Sequence, residues 1–146
     1  MPLHASVHYS GWGDFPNPER FTNEHIHVPF ENQYVHNNVK DADVKRAVPA
    51  AHDCGCTIAA RVAAYLTASQ AEVVPLYRLE KTGAFAKATP EGKAFVTQQL
   101  ALGAAELRDV IVDAWHESDK QSVGYPPVQV LDVEAGKADP YAALAY

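Results

Sequence analysis

Hydrophobic and polar positions divide the chain into an irregular beginning, a helical middle and a largely extended end. No period persists through residues 1–26, where Y-S-G-W-G-D-F-P-N-P-E-R-F-T-N gathers Gly, Pro, Asn and aromatic residues. A loop of that length in a compact domain often carries function. Trp12, Phe15 and Phe21 are placed to wall a pocket in it. A helical pattern starts at about residue 28, with Pro29 suited to a first turn and Phe30 and Tyr34 sharing a face at i, i+4. Asn37-Asn38 mark its stop, and a short helix is predicted over about 41–48. Over 56–70 the spacing predicts a helix with Ile58, Val62, Tyr65 and Leu66 on one side. It resumes over 71–81 after a break, because Pro75 does not suit a helix interior.

The clearest element is predicted over about 90–118. Thr89 suits the N-cap, Pro90 the first helical position, and Glu91 the positive end of the helix dipole. Phe95, Leu102, Ala105, Val110 or Ile111, and Trp115 fall near helical spacing. The tail is extended or loop, with 128–133 as the one strand candidate. The fold class is mainly α in a single domain: an irregular loop over 1–26, a helical core over 27–118 and an extended tail over 119–146.

Length and composition fit that reading. A chain of 146 residues, 47% hydrophobic and 21% charged, is ordinary for one globular domain. No apolar run approaches the ~20 residues of a membrane span. M-P-L-H-A-S-V-H-Y has neither a basic start nor an apolar h-region, so no secretion signal is expected and the cytoplasm is the default compartment. The net charge of −6, with no Lys/Arg-rich stretch, disfavours a dedicated nucleic-acid partner. Cys54 and Cys56 are separated by Gly55 alone, a spacing that disfavours an ordinary disulfide. With His52 they form H-D-C-G-C, which can hold a soft metal but lacks the second half of a zinc-finger spacing. Small buried residues at a helix start are the plainer expectation for both.

The candidate chemistry lies in the histidines. Six of the seven fall within the first 52 residues. In His27-Val-Pro-Phe-Glu31 the i, i+4 spacing stacks an imidazole over a carboxylate, so that both can reach one ion at ~2.0–2.2 Å. His4, from the distant loop, completes a His₂Glu set. Three ligands and an open position are the arrangement of catalytic zinc, whose water ionises near pH ~7 and serves as nucleophile. Taken alone, H-x-x-x-E is weak, and its spacing is more often that of a partly exposed helix start with a satisfied core histidine.

A wider set of residues bears on that choice. Pro2-Leu3-His4, then Ser6-Val7-His8-Tyr9-Ser10-Gly11-Trp12, Pro16-Asn17-Pro18, Phe21-Thr22 and Ile26-His27-Val28-Pro29-Phe30-Glu31, resembles the phospholipase C/S1-P1 nuclease superfamily. In those zinc-dependent phosphodiesterases a histidine follows Pro-Leu, as His4 does, and a later helix carries His-x-x-x-Asp or His-x-x-x-Glu, as His27 and Glu31 do. The resemblance implies that these three residues hold one zinc of what is a three-zinc cluster in the family. The family's other ligands, an N-terminal tryptophan amine and a His-x-x-x-Asp helix just before Pro-Leu-His, have no counterpart here. The chain therefore resembles the C-terminal half of that fold, a helical fragment of a typically secreted family.

What the resemblance implies is a mononuclear Zn²⁺ hydrolase of phosphodiesters or activated phosphotriesters, slow and favouring good leaving groups. A non-catalytic metal-binding remnant and a zinc hydrolase of carboxylic esters, lactones or lactams are the alternatives. His8, four residues after His4, is a candidate pocket residue or proton carrier, and Asp14 a candidate base beside Trp12. His25, Asn32 and His36 are expected to face solvent, and His116 to sit at a helix C-terminus. A fold lacking half its partner helices leaves apolar faces on 56–70 and 90–118, so a homodimer is expected. The other expected partner is a small phosphate ester.

Overall fold

Thr89 opens the longest element as its sequence suggests. In the computed structural model, which describes Trp12, residues 16–139 and Tyr141, its side chain accepts from the Gly92 N–H at 3.3 Å. Pro90 then starts a helix that runs to Ser118. The elements are a π-helix, Val28–Val35, closed by the α-helical turn His36–Asn38; α1, Asp41–Ala47; α2, Ile58–Ala71; α3, Val73–Lys81; α4, Pro90–Ser118; β1, Ser122–Val123; β2, Val128–Gln129; and α5, Val130–Glu134. The fold is mainly α. Among the described residues no helix is long and apolar enough to cross a membrane.

The 29 residues of α4 span about 44 Å, and α1, α2 and α3 all pack against them. Thr57 caps α2 by accepting from the Ala60 N–H at 3.2 Å. The break at Glu72 puts Pro75 in the first turn of α3, where a missing N–H leaves no intrahelical bond unmade. The same short helix buries Val73, Leu76 and Tyr77 on one face, and Leu76 and Tyr77 are fully enclosed.

Around them lies an aromatic core. Trp12 meets Phe21 at 5.1 Å between ring centroids and Tyr77 edge-on at 5.4 Å. Phe30 and Tyr34 both meet Phe85, at 4.9 and 5.1 Å. Edge-on contacts suit the ring quadrupoles. The segment before the π-helix is fastened by Asn17, whose side chain accepts from the Phe21 N–H and donates to the Phe21 carbonyl. Glu19 fastens it further through two hydrogen bonds from Arg78 of α3, at 2.6 and 2.9 Å.

The tail needs correction, and the neighbours of α2 and α4 decide which of their faces are covered. On α2 the predicted side is only partly covered: Ile58, Val62 and Tyr65 are half-buried and Leu66 is exposed, while Arg61 and Ser69 are buried. The inner face of α2 meets Asp109 and Asp113 of α4, so a charge-paired arginine goes in. On α4 the buried positions are Gly92, Val96, Ala101, Ala105 and Asp109, and Leu102, Ile111 and Trp115 are exposed. In the tail, only Val128–Gln129 of the strand candidate pairs, with Ser122–Val123, and the chain turns helical from Val130. Among the described residues the ladder is two residues long with no third strand, too little to bury the face that would extend it.

Candidate metal centre

The candidate ligand helix starts and ends with α-type turns: the Phe30 N–H donates to the Ile26 carbonyl at 2.8 Å, and the Val39 N–H to the Val35 carbonyl at 3.0 Å. Between them the backbone widens into eight π-helical residues, where the sequence predicts an ordinary α-helix. π-Helical turns are rare and tend to occur at functional sites. Phe30 and Tyr34 are buried on the inner side of this element, with rings parallel to within 3°, and both reach Phe85.

On the same element His27 and Glu31 come together. His27 Nδ1 lies 3.4 Å from Glu31 Oε2, and the two side chains are 24% and 21% exposed. That separation is longer than an ordinary N–H···O hydrogen bond. Two donors each ~2.05 Å from one tetrahedral zinc stand about 3.3 Å apart, so the pair matches one edge of a zinc tetrahedron. Beside them Glu31 shares a cavity of about 160 Å³ with Phe30, Val35, Phe95, Val96 and Leu100. Apolar walls lower the local dielectric and strengthen the attraction of a carboxylate for a cation.

His4, the third expected ligand, lies outside the described residues, as do His8 and Asp14. Among the described residues no three His, Cys, Asp or Glu side chains gather as a metal-holding group. His25, Asn32 and His36 are exposed, as the sequence predicts, and His116 lies in the last turn of α4. Tyr34 and Tyr77 are phenols buried in the aromatic core. Burial raises the phenol of each, and Tyr77, with Glu80 adding to the effect, is pushed up to about 12.

Cys54 and Cys56 depart from expectation, being exposed and disulfide-bonded to each other. Gly55, at φ 59°, takes the left-handed turn that glycine adopts without strain, and it brings the two Cα atoms to 5.2 Å, within disulfide reach. The Asp53 side chain holds the turn by accepting from the Gly55 N–H at 2.8 Å. Neither sulfur is then a thiolate available to a soft metal.

A second polar constellation escapes the sequence reading. Arg61, 7% exposed, donates from Nε to Asp113 at 2.7 Å and from its terminal nitrogen to the His52 carbonyl at 2.7 Å, with Asp109 at 3.6 Å. Asp109 also accepts from Arg108 at 2.7 Å and from the His52 N–H at 3.3 Å. The Arg108 bond above all, helped by the His52 N–H and by both arginine charges, holds the Asp109 carboxyl below its usual range. The network borders a cleft of about 280 Å³ between α2 and α4, and it clamps the 49–52 segment over their crossing. Its signal in the sequence is Arg61 itself, the one charge in I-A-A-R-V-A-A-Y-L-T-A-S-Q-A.

Comparison with protein-family models, with curated proteins and with solved structures returns no match to this chain.

Proposed function

We propose that the chain is a zinc-dependent hydrolase of phosphate esters, with the ion held by His27, Glu31 and His4. The observation that carries this reading is the 3.4 Å spacing of His27 Nδ1 and Glu31 Oε2, an ion-pair distance that is also close to the edge of a zinc tetrahedron. The Pro2-Leu3-His4 and His27-x-x-x-Glu31 resemblance to the phospholipase C/S1-P1 nuclease superfamily supports it independently. The donor set also suits an anionic ester. Two neutral imidazoles and one carboxylate leave a single net positive charge on a divalent ion. When bound, zinc supplies ionisation of water near neutral pH and polarisation of a phosphoryl oxygen.

The chain's own residues then do the positioning. His27 at the N-cap and Glu31 in the first turn are carried by one helical element, which keeps the two side chains near each other. Phe30, Phe95, Val96 and Leu100 keep water from one side of Glu31 and offer an apolar wall to the organic group of the ester. With two of three ligands on one element, His4 supplies the third from a distant part of the chain.

The test is zinc content per chain measured together with chelator-sensitive hydrolysis of an aryl phosphodiester. His27→Ala and Glu31→Ala are each expected to lose stoichiometric zinc and to lower turnover at least about a hundredfold, because two ligands make an inadequate site. Stoichiometric zinc and full turnover in His27→Ala would overturn the assignment. Turnover of a carboxylic ester with the phosphodiester untouched would reassign the substrate class.

A further inference from the structure

The apolar pattern of α4 continues past the core that uses it. Leu100, Ala104, Leu107, Ile111, Ala114 and Ser118 follow one another at 4-3-4-3-4 spacing, the heptad rhythm of a helix that packs along another helix. Leu100 is half-buried against the aromatic core. Beyond it the same stripe is open: Leu107 is 62% exposed, Ile111 57% and the adjoining Trp115 62%. No charged residue falls on it, although Arg108, Asp109, Asp113 and Glu117 stand elsewhere around the same turns. An isolated exposed leucine needs no explanation, but four turns of uninterrupted apolar stripe are a covered surface in waiting.

We infer that this face of α4 binds the same face of a second copy of the chain, antiparallel and two-fold symmetric. The spacing calls for a helix as occupant, and the stripe is complementary to itself. Antiparallel pairing about the point midway between Leu107 and Ile111 sets Leu107 against Ile111, Ala104 against Ala114, and Leu100 against Ser118 of the partner. The bulky residues then meet at the centre, the alanines let the two backbones approach on either side, and Trp115 covers the space above the partner's Ala104.

The area agrees. The exposed parts of Leu107, Ile111 and Trp115, with the two alanines, amount to roughly 400 Å² per copy. Two copies supply about 800 Å², close to the apolar share of a standard interface, which is a little over half of ~1,600 Å². The stripe also begins at Leu100, which lines the cavity beside Glu31, so the far end of the partner's α4 arrives at the rim of that cavity. The inference does not rest on the metal assignment.

Sedimentation at micromolar concentration tests it. The wild-type chain is expected at twice its 15.9 kDa mass. Leu107→Glu combined with Ile111→Glu places like charges opposite each other and weakens association at least about a hundredfold, giving a folded monomer. The corresponding double lysine variant behaves alike, and mixing the two restores a dimer of one copy each. A folded monomeric wild type, or variants that remain dimeric, overturns the interface. Absence of the mixed dimer likewise overturns the interface. Both positions are already more than half exposed, so far-UV circular dichroism is expected to be unchanged. Should a variant lose helix, the wild-type mass still decides, together with a red shift of Trp115 emission on dilution that Trp115→Phe removes; no shift across dissociation overturns the interface.

Discussion

Replacing Arg61 with alanine removes the one cation buried between α2 and α4. The guanidinium is 7% exposed and makes 2.7 Å bonds to Asp113 and to the His52 carbonyl, with Asp109 at 3.6 Å. Breaking a buried ion pair by deleting one partner typically costs about 3–5 kcal/mol, because the remaining charge stays desolvated. Two features lower that figure here. Asp109 keeps its bonds from Arg108 and from the His52 N–H, and the Asp113 side chain is 23% exposed and can recruit water. The expected loss is therefore about 2–3 kcal/mol. In urea, with a slope of about 1–3 kcal/mol per molar, the midpoint falls by roughly 1–2 M. At this size each kcal/mol lowers Tm by about 3 °C, so the melt moves down roughly 6–9 °C. Removing Asp113 as well is less damaging than the single losses sum to, because the stranded carboxylate goes with its partner. A loss under about 0.5 kcal/mol in Arg61→Ala, or strict additivity in the pair, would refute the view that this network holds the two helices together.

Gly92 and pH provide two further tests. A Cβ at Gly92 would lie 3.0 Å from the Ala84 carbonyl oxygen and 3.2 Å from both Phe85 and the Tyr34 hydroxyl. Gly92→Ala therefore forfeits its helix-propensity gain of about 1 kcal/mol and is expected to destabilise by about 1–2 kcal/mol in thermal or urea melts; a more stable variant would contradict this packing. Four carboxyls, Glu19 through Arg78, Asp43 through Lys93, Glu91 through its backbone N–H and Thr89, and Asp109 through Arg108, sit below their ordinary values. Each binds protons less readily when folded, so its contribution is present above the unfolded range of about pH 4 and is lost as pH falls through the depressed folded value. Urea midpoints are expected to drop between pH 6 and pH 3, and a flat or rising profile would refute these pairings.

Much of the local structure was legible because its causes are local. Thr89-Pro90-Glu91 satisfies the start of α4 from within four residues, and Pro75 follows a break at Glu72 because the proline lacks the N–H that a helix interior needs. The i, i+4 pairing of His27 and Glu31 follows from helical repeat alone, and their juxtaposition is seen. The widening of that helix into a π-helix was not legible in its spacing. The Cys54–Cys56 bridge was misjudged from separation alone, since the φ of Gly55, which spacing does not reveal, decides whether the two side chains can meet.

Which face of a helix is buried is a non-local question, and there the tertiary structure decided. The pattern of α4 offers apolar residues on more than one side, and its neighbours select among them. Val96 meets the aromatic core, Ala105 and Asp109 face the cleft with α2, and the stripe through Leu107, Ile111 and Trp115 is open. The sequence alone settled where the chain turns helical between residues 28 and 118, though not at Val130, and which residue types can hold a metal, because capping, propensity and donor chemistry act over a few residues. Only the tertiary structure brought Arg61 to Asp113, 52 positions away, and turned a charge that belongs in water into a buried clamp, because burial depends on what packs opposite.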